Sequence, residues 1–289
     1  MGIIPQSALL GHNGAMNADV NTLPIGVFDS GVGGLTVLKA LREELPSENL
    51  IYLGDTARLP YGTKSPASIS RYASQATRQL QEQGIKLLVV ACNTASAVAL
   101  DTLRVQMHPV PVTGVVEPGA AAAVAARPGG SHLVLATEAT VRLGAYRRAI
   151  RERDPDAEVR ELACELLVAL AEEGWRDGPI AESIVRRYLG ELGNPPHEPD
   201  SVILGCTHFP ILRDAIASAF DQAVVIVDSA STTAAVARDQ LQSLAIVNGQ
   251  DSPGSLTLLA TDGATRFARV GGQFLGEDLA AEDIRVVDL

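Results

Sequence analysis

The fold is decided by KLLVVACNTASAVALDTL (86–103), in which an apolar run leads through a cysteine and polar residues into a helical stretch. SVILGCTHFPILRDAI (201–216) repeats this order of strand, cysteine, polar pair and helix. The two cysteines, Cys92 and Cys206, lie too far apart in the chain to form one local motif. Such an echo is typical of equivalent positions in two similar lobes that face a shared cleft.

Short apolar runs alternate with helical stretches along most of the chain. They are IGVF (25–28), LIYLG (50–54), LLVVA (87–91), VTGVV (112–116), HLVLA (132–136), SVILG (201–205) and VVIV (224–227). Alternating strands and helices indicate mainly parallel sheets, and the nearly continuous apolar runs indicate strands covered on both faces. We predict an α/β fold of two pseudo-symmetric lobes, each a mainly parallel sheet flanked by helices, with the active site in the cleft between them.

The composition limits which partners we expect and indicates the cellular compartment. The 23 Lys and Arg residues are outnumbered by 34 Asp and Glu residues, and no basic run stands out, so we expect no nucleic acid as a primary partner. Three cysteines in 289 residues are an odd number, which favours a reducing compartment over a disulfide framework. We therefore predict a cytoplasmic protein.

The N-terminus and the hydropathy pattern bear on membrane targeting. Residues 1–22 lack the basic start and long apolar run of a signal peptide, and no stretch is long enough to span a bilayer. We predict that residues 1–22 are a disordered extension and that the protein has no membrane partner.

Each of the echoed cysteines stands where a strand ends and a helix begins, which is where open α/β sheets place ligand-binding groups. Asn93 or Thr94 can cap the first of these helices, and helix N–H groups nearby would lower a thiol pKa from about 8.5 toward neutrality. Any single cysteine there could be a small core residue. Two matched cysteines favour a functional role, whereas Cys164 lacks this setting and is expected in the core.

A glycine-rich turn follows the first strand in VFDSGVGGLTVLKAL (27–41). Its glycines would let an anion approach the helix start, but the spacing matches neither common nucleotide-binding motif. Asp29, at the strand end, is either a functional carboxylate or a helix cap. His208 is close enough to Cys206 in sequence to tune its proton, although it could equally be satisfied by backbone groups.

Metal and cofactor motifs are missing from the sequence. The histidines show no i, i+4 pair and no CxxC occurs, so we expect no metal site. Lys39, Lys64 and Lys86 are the only lysines, and none ends a strand within a motif. Since pyridoxal phosphate needs a Schiff-base lysine, we expect no cofactor.

Together these segments resemble the glutamate racemases from about Leu23 to Leu289. The resemblance rests on FDSGVGGLTVL (28–38), GDTARLPYG (54–62), ACNTASA (91–97), VVEPG (115–119), ATEAT (136–140), EEG (172–174), LGCTHFP (204–210) and VDSA (227–230). It implies cofactor-independent interconversion of L- and D-glutamate, which supplies D-glutamate for peptidoglycan synthesis. It also implies one lobe from 23–116 plus 227–289, a second from 117–226, and is compatible with a homodimer.

The resemblance also implies roles for individual residues. Cys92 and Cys206 would be the catalytic thiols, with Asp29 and His208 assisting one on each side, and Glu172 would be an additional acid. Substrate contacts are implied for Asp29, Ser30, Tyr61, Gly62, Asn93, Thr94, Thr137, Thr140, Thr207 and His208. The motifs that hold Asp29, Cys92 and Cys206 contain no arginine, so hydroxyls and backbone N–H groups would have to hold the two carboxylates of a small-molecule substrate.

Three alternatives stay open at this point. Aspartate and hydantoin racemases resemble the chain in having two lobes and two cysteines, although YG and ACNTASA favour glutamate. A cysteine hydrolase would leave the second matched cysteine unexplained. A non-catalytic anion-binding module would bind glutamate without changing its handedness.

Overall fold

In a computed structural model, which describes residues 19–192, 198–222 and 224–289, parallel strands alternate with helices. The strands of these residues are β1 (Ile25–Asp29), β2 (Leu50–Gly54), β3 (Leu87–Val90), β4 (Val112–Gly114), β5 (Ser131–Ala136), β6 (Glu158–Ala163), β7 (Ser201–Gly205), β8 (Val225–Asp228), β9 (Leu256–Ala260) and β10 (Ile284–Val286).

The helices in the same ranges are α1 (Leu35–Glu44), α2 (Pro66–Glu82), α3 (Asn93–Met107), α4 (Val116–Ala126), α5 (Glu138–Leu143), α6 (Ala145–Arg151), α7 (Glu165–Glu172), α8 (Gly178–Gly190), α9 (Arg213–Ala217), α10 (Ser229–Ser243) and α11 (Ala264–Leu275). None of the helices that the structure describes is both long and apolar enough to cross a membrane.

The strands form two separate parallel sheets. The first has the order β10-β9-β2-β1-β3-β4 and the second the order β6-β5-β7-β8. Every residue of β1, β2, β3 and β7 is buried, because helices cover both faces of the sheets. The predicted fold class is confirmed.

In both sheets the chain adds strands first on one side of a central strand and then on the other side. In the first sheet β1 lies between β2 and β3, and in the second β5 lies between β6 and β7. Loops that leave such neighbouring strands on opposite faces open a crevice at the carboxyl ends, where ligands bind in folds of this class. Cys92 follows β3 and Cys206 follows β7, so each cysteine stands beside one of these crevices.

Several predicted boundaries differ from the structure. Val115 and Val116 do not continue β4, because Val115 is the N-cap of α4 and Val116 its first residue. β6, β9 and β10 were not predicted. β6 and β10 are edge strands whose charged side chains interrupt the apolar run that identified the others.

The predicted disordered extension does not reach residue 22. Val20–Thr22 form a 3-10 turn in which Val20 is buried, and the Lys86 ammonium donates to the Asn21 carbonyl. Residues 1–18 of that extension lie outside the described residues. The division into lobes at 116 and 227 stays a prediction; β8 runs across the second boundary and pairs with β7.

Candidate active site

Both cysteines of the sequence echo line one cavity between the two sheets. Its walls are formed by Ser30, Gly31, Leu59, Pro60, Tyr61, Gly62, Cys92, Asn93, Thr94, Thr137, Glu165, Val168, Glu172, Cys206, Thr207 and His208. All but two of the predicted site residues are therefore wall residues. The exceptions, Asp29 and Thr140, are fully buried behind the wall.

Cys92 is the N-cap residue of α3, a role that the sequence had suggested for Asn93 or Thr94. Its sulfur accepts a hydrogen bond from the Ala95 N–H at 3.4 Å and donates one to Ser30 Oγ at 3.4 Å. Cys206 contributes to raising the Cys92 pKa, which agrees with the two sulfurs lining one cavity.

The predicted drop in thiol pKa is wrong for Cys92. Burial, and next the charge of Asp29, raise the pKa of the Cys92 thiol to about 12, while its hydrogen bonds with Ser30 and Ala95 oppose the rise. A thiolate loses its hydration when it is buried, and one helix N–H does not compensate for that loss. Cys92 is therefore a protonated thiol at neutral pH in this structure.

Asp29 ends β1 and is completely buried. Its Oδ2 accepts hydrogen bonds from the Gly31 N–H at 2.9 Å and from the Tyr52 hydroxyl at 3.4 Å. Among the described residues nothing hydrogen-bonds to Oδ1. The alternative that Asp29 caps α1 is not supported, because the N-cap of that helix is Gly34, without a side-chain cap bond.

The glycine-rich turn brings the first sheet close to the second cysteine. A Cβ at Gly33 would lie 2.4 Å from His208 Nδ1 and 2.6 Å from Thr207 Oγ1. A Cβ at Gly34 would lie 2.6 Å from the Asp29 Cβ. Gly33 thus serves close packing across the cleft, and Gly34 serves close packing within the first sheet's lobe.

Cys206 belongs to a chain of polar contacts. Its Sγ lies 3.7 Å from His208 Nδ1, and His208 Nε2 lies 3.1 Å from Glu172 Oε1. Burial lowers the pKa of His208, but the contacts with Cys206 and Glu172 outweigh this and raise it to about 10. His208 is consequently an imidazolium at neutral pH, placed to stabilise negative charge on Cys206.

Three threonine hydroxyls form a cluster across the cleft. Thr94 Oγ1 lies 2.8 Å from Thr137 Oγ1 and 3.4 Å from Thr140 Oγ1, and Thr137 and Thr140 are 3.0 Å apart. Thr94 belongs to α3, whereas Thr137 is the N-cap of α5. The cluster joins helix starts from both sheets.

Hydrogen bonds of tyrosine hydroxyls hold two wall residues in place, Tyr61 and Asn93. The Tyr61 hydroxyl donates to Asp55 Oδ2 at 2.5 Å, and burial and the Asp55 charge raise its pKa far above the ordinary value. The Tyr146 hydroxyl donates to Asn93 Oδ1 at 2.7 Å. Within the described residues the Asn93 Nδ2 has no hydrogen-bond partner.

Sequence reasoning missed several residues of the site. Glu165 is a wall residue whose Oε1 accepts the Glu138 N–H at the start of α5, and Arg266 and Phe274 reach Glu172 and His208 from α11. Glu165 begins α7 just after β6, but its strand-end position could not be recognised because β6 was not predicted. Nothing in the sequence near Arg266 or Phe274 indicates such contacts.

The described residues contain no group of three or more His, Cys, Asp or Glu side chains that could hold a metal ion. Cys164 is buried outside the cavity wall, as predicted, but the expectation that it lacks a strand-end setting is wrong, because it directly follows β6 and is the N-cap residue of α7.

Known proteins resemble this chain over most of its length. The model of the Asp/Glu/hydantoin racemase family matches residues 25–237. A protein named glutamate racemase from Geobacter metallireducens is 46% identical over 255 residues, which are 88% of this chain and 93% of that protein.

Solved structures agree with the sequence relatives. A crystal structure of glutamate racemase from Francisella tularensis subsp. tularensis SCHU S4 in complex with D-glutamate has a TM-score of 0.84 and 35% identity, covering 92% of this chain and 98% of that one. Glutamate racemase from Thermus thermophilus, in complex with beta-chloro-D-alanine, has a TM-score of 0.82 and 43% identity over 93% of this chain and 98% of its own. The matched span includes Asp29, Cys92, Cys206 and His208, and the chain belongs to the Asp/Glu/hydantoin racemase family.

Proposed function

We propose that the chain interconverts L- and D-glutamate by moving the Cα proton with two thiols, Cys92 and Cys206. The observation that carries the proposal is that two cysteines from different sheets line one cavity. The proteins named glutamate racemase in the comparison support glutamate as the substrate. By family resemblance, the D-glutamate product would supply peptidoglycan synthesis.

Inversion of a carbon requires removal of its proton from one face and delivery of another to the opposite face. One base cannot readily serve both faces, whereas a thiolate on one side and a thiol on the other can. The thiolate takes the Cα proton, the electron pair stays on the substrate as a carbanion, and the second thiol gives its proton to the other face. The two sulfurs exchange roles in the reverse reaction.

The two thiols have unlike surroundings that suit these roles. The raised pKa of Cys92 keeps it protonated, as a donor must be, while the Cys206 sulfur lies 3.7 Å from Nδ1 of the His208 imidazolium. By family resemblance, Cys206 takes the proton from L-glutamate and Cys92 takes it from D-glutamate. A turnover from L to D leaves the abstracted proton on Cys206 and a thiolate at Cys92, which is the protonation state that the reverse reaction needs.

Uncharged groups would hold the two carboxylates of the substrate. No arginine or lysine lies among the described residues that form the cavity wall. The hydroxyls of Ser30, Thr94 and Thr137 and the orphan Nδ2 of Asn93 are available donors, and the start of α3 adds backbone N–H groups.

We also propose that the reaction needs no cofactor. None of the three lysines contributes to the cavity wall, and Lys86 is buried in an ion pair, with Nζ 2.6 Å from Glu48 Oε2. Activity should therefore survive exhaustive chelation and carbonyl-trapping reagents. Activity that is lost on such treatment and restored only by pyridoxal phosphate would contradict this.

The deciding experiment is circular dichroism of pure L-glutamate with purified protein, repeated with L-aspartate to test the neighbouring substrate. Cys92→Ser and Cys206→Ser should each abolish racemisation without unfolding, because serine has a thiol's shape but is a far poorer base. Cys164→Ser is the matched control, a buried cysteine outside the cavity, and should stay active.

A glutamate analogue with a leaving group at the β-carbon separates the two faces, since proton abstraction alone then suffices for elimination. Cys92→Ser should retain elimination from the L-analogue and Cys206→Ser from the D-analogue. Equal loss on both enantiomers in both folded variants would contradict two opposed bases. The reversed preference would overturn only the assignment of faces.

A further inference from the structure

Helix α11 reaches from the first sheet's lobe to the surroundings of Cys206. The helix packs against α1 and β10, which belong to the first sheet's layers. Its far side touches the end of α7: Gly174, at φ 74°, would bring a Cβ within 2.8 Å of Gln273 Oε1. The Phe274 ring meets His208 edge-on, with centroids 5.1 Å apart.

Arg266 completes this contact through Glu172. Glu172 Oε2 accepts from Arg266 Nη2 at 2.7 Å, while Oε1 faces His208 Nε2 at 3.1 Å. The side chain of Arg266 is 49% exposed, but that of Glu172 is only 13% exposed. The two oxygens of one shielded carboxylate thus join an arginine of one lobe to the histidine beside Cys206.

We propose that Arg266 is a positioning residue, which holds Glu172 against His208 and so keeps Cys206 ready for proton transfer when α11 and α7 are in contact. The inference rests on the proposed two-thiol function. Arg266 touches neither sulfur and acts only through Glu172.

The position of Glu172 explains why an arginine is needed. Glu172 is the last residue of α7, where the negative end of the helix dipole disfavours a carboxylate. Without Arg266 the carboxylate can turn toward solvent, and His208 then loses its partner at Nε2. Loss of Arg266 should change the reactivity of Cys206 but not that of Cys92, because the hydrogen bonds of Cys92 go to Ser30 and Ala95 rather than to α11.

The test is alkylation of the full-length protein by iodoacetamide over a pH series, with Cys92 and Cys206 followed separately by peptide mass spectrometry. In Arg266→Gln the Cys206 rate near neutral pH should fall about three- to tenfold, corresponding to a profile displaced by roughly half to one pH unit. kcat should fall by a similar factor with little change in KM. Arg266→Lys, which keeps the charge, should be intermediate.

Arg269→Gln is the matched control, since Arg269 is an exposed arginine one turn further along α11. It should leave both alkylation profiles and the racemisation rate unchanged. The inference is overturned if Cys206 in Arg266→Gln reacts at the control rate or faster, or if Cys92 slows as much as Cys206.

A Cys206→Ser sample separates this inference from the proposed function. If Cys206→Ser racemises glutamate at the wild-type rate, the two-thiol proposal fails and this inference falls with it. If Cys206→Ser is inactive while Arg266→Gln behaves like Arg269→Gln, only the role of Arg266 is refuted.

Discussion

The hydroxyls of Thr94 and Thr137 lie 2.8 Å apart, although they belong to helix starts that follow strands of different sheets. Thr140 Oγ1 lies within 3.4 Å of both, so each hydroxyl is oriented by the other two. The cavity is thus built from both lobes at atomic contact, and changes at this contact should affect substrate binding.

Thr94→Val should raise KM for glutamate about tenfold with a small change in kcat, because the variant keeps the shape but removes a donor from the cavity wall. Thr77→Val is the control: Thr77 is also buried, but its hydroxyl donates to the Ala73 carbonyl within α2, away from the cavity. Steady-state kinetics of both variants gives the KM and kcat values to be compared. A lower melting temperature with unchanged KM would give Thr94 a structural role only.

Asp29→Asn should lower kcat by about 10²- to 10⁴-fold, the usual contribution of acid/base assistance. The amide fits the site, since Oδ1 has no partner among the described residues and its replacement by NH2 displaces no donor. Asp101→Asn, on the exposed side of α3, is the control. If Asp29→Asn raises only KM, Asp29 binds substrate instead of moving protons.

The raised pKa of His208 predicts a loss of stability on the alkaline side. A folded pKa raised from 6.5 to about 10 means that the imidazolium's stabilisation is fully present below about pH 6.5 and is lost as pH rises through about 10. Urea unfolding of the wild type should therefore show a free energy that falls across this range.

His208→Gln should lack this alkaline component, and Glu172→Gln, which removes one of the two partners, should retain part of it. Parallel pH profiles for the wild type and His208→Gln would show that the histidine is neutral in the folded protein.

Gly33→Ala should inactivate the protein, because the new methyl group would lie 2.4 Å from His208 Nδ1 and must displace that ring from Cys206. Gly249→Ala is the control, since no heavy atom lies within 4 Å of a Cβ there. Activity and far-UV circular dichroism measured together separate a displaced histidine from an unfolded chain. Full activity of Gly33→Ala would mean that the turn shifts freely.

The site could be predicted from the sequence where its residues follow strands directly. Asp29 ends β1, Cys92 follows β3 and Cys206 follows β7, so one rule about the carboxyl ends of parallel strands brings them together. Glu172 entered the predicted site only through the family resemblance, and its contact with His208, 36 residues along the chain, was not predicted.

The sequence by itself determined the two parallel sheets and the two cysteines at their strand ends, because hydrophobic runs, glycine turns and strand-end positions are local properties of the chain. Only the tertiary structure decided that Cys92 is a high-pKa thiol and that Arg266 reaches Glu172. Burial and the charge of Asp29 depend on how completely the helices exclude water, and Arg266 meets Glu172 across 94 residues of chain. Neither desolvation nor a contact between lobes is encoded in any short segment.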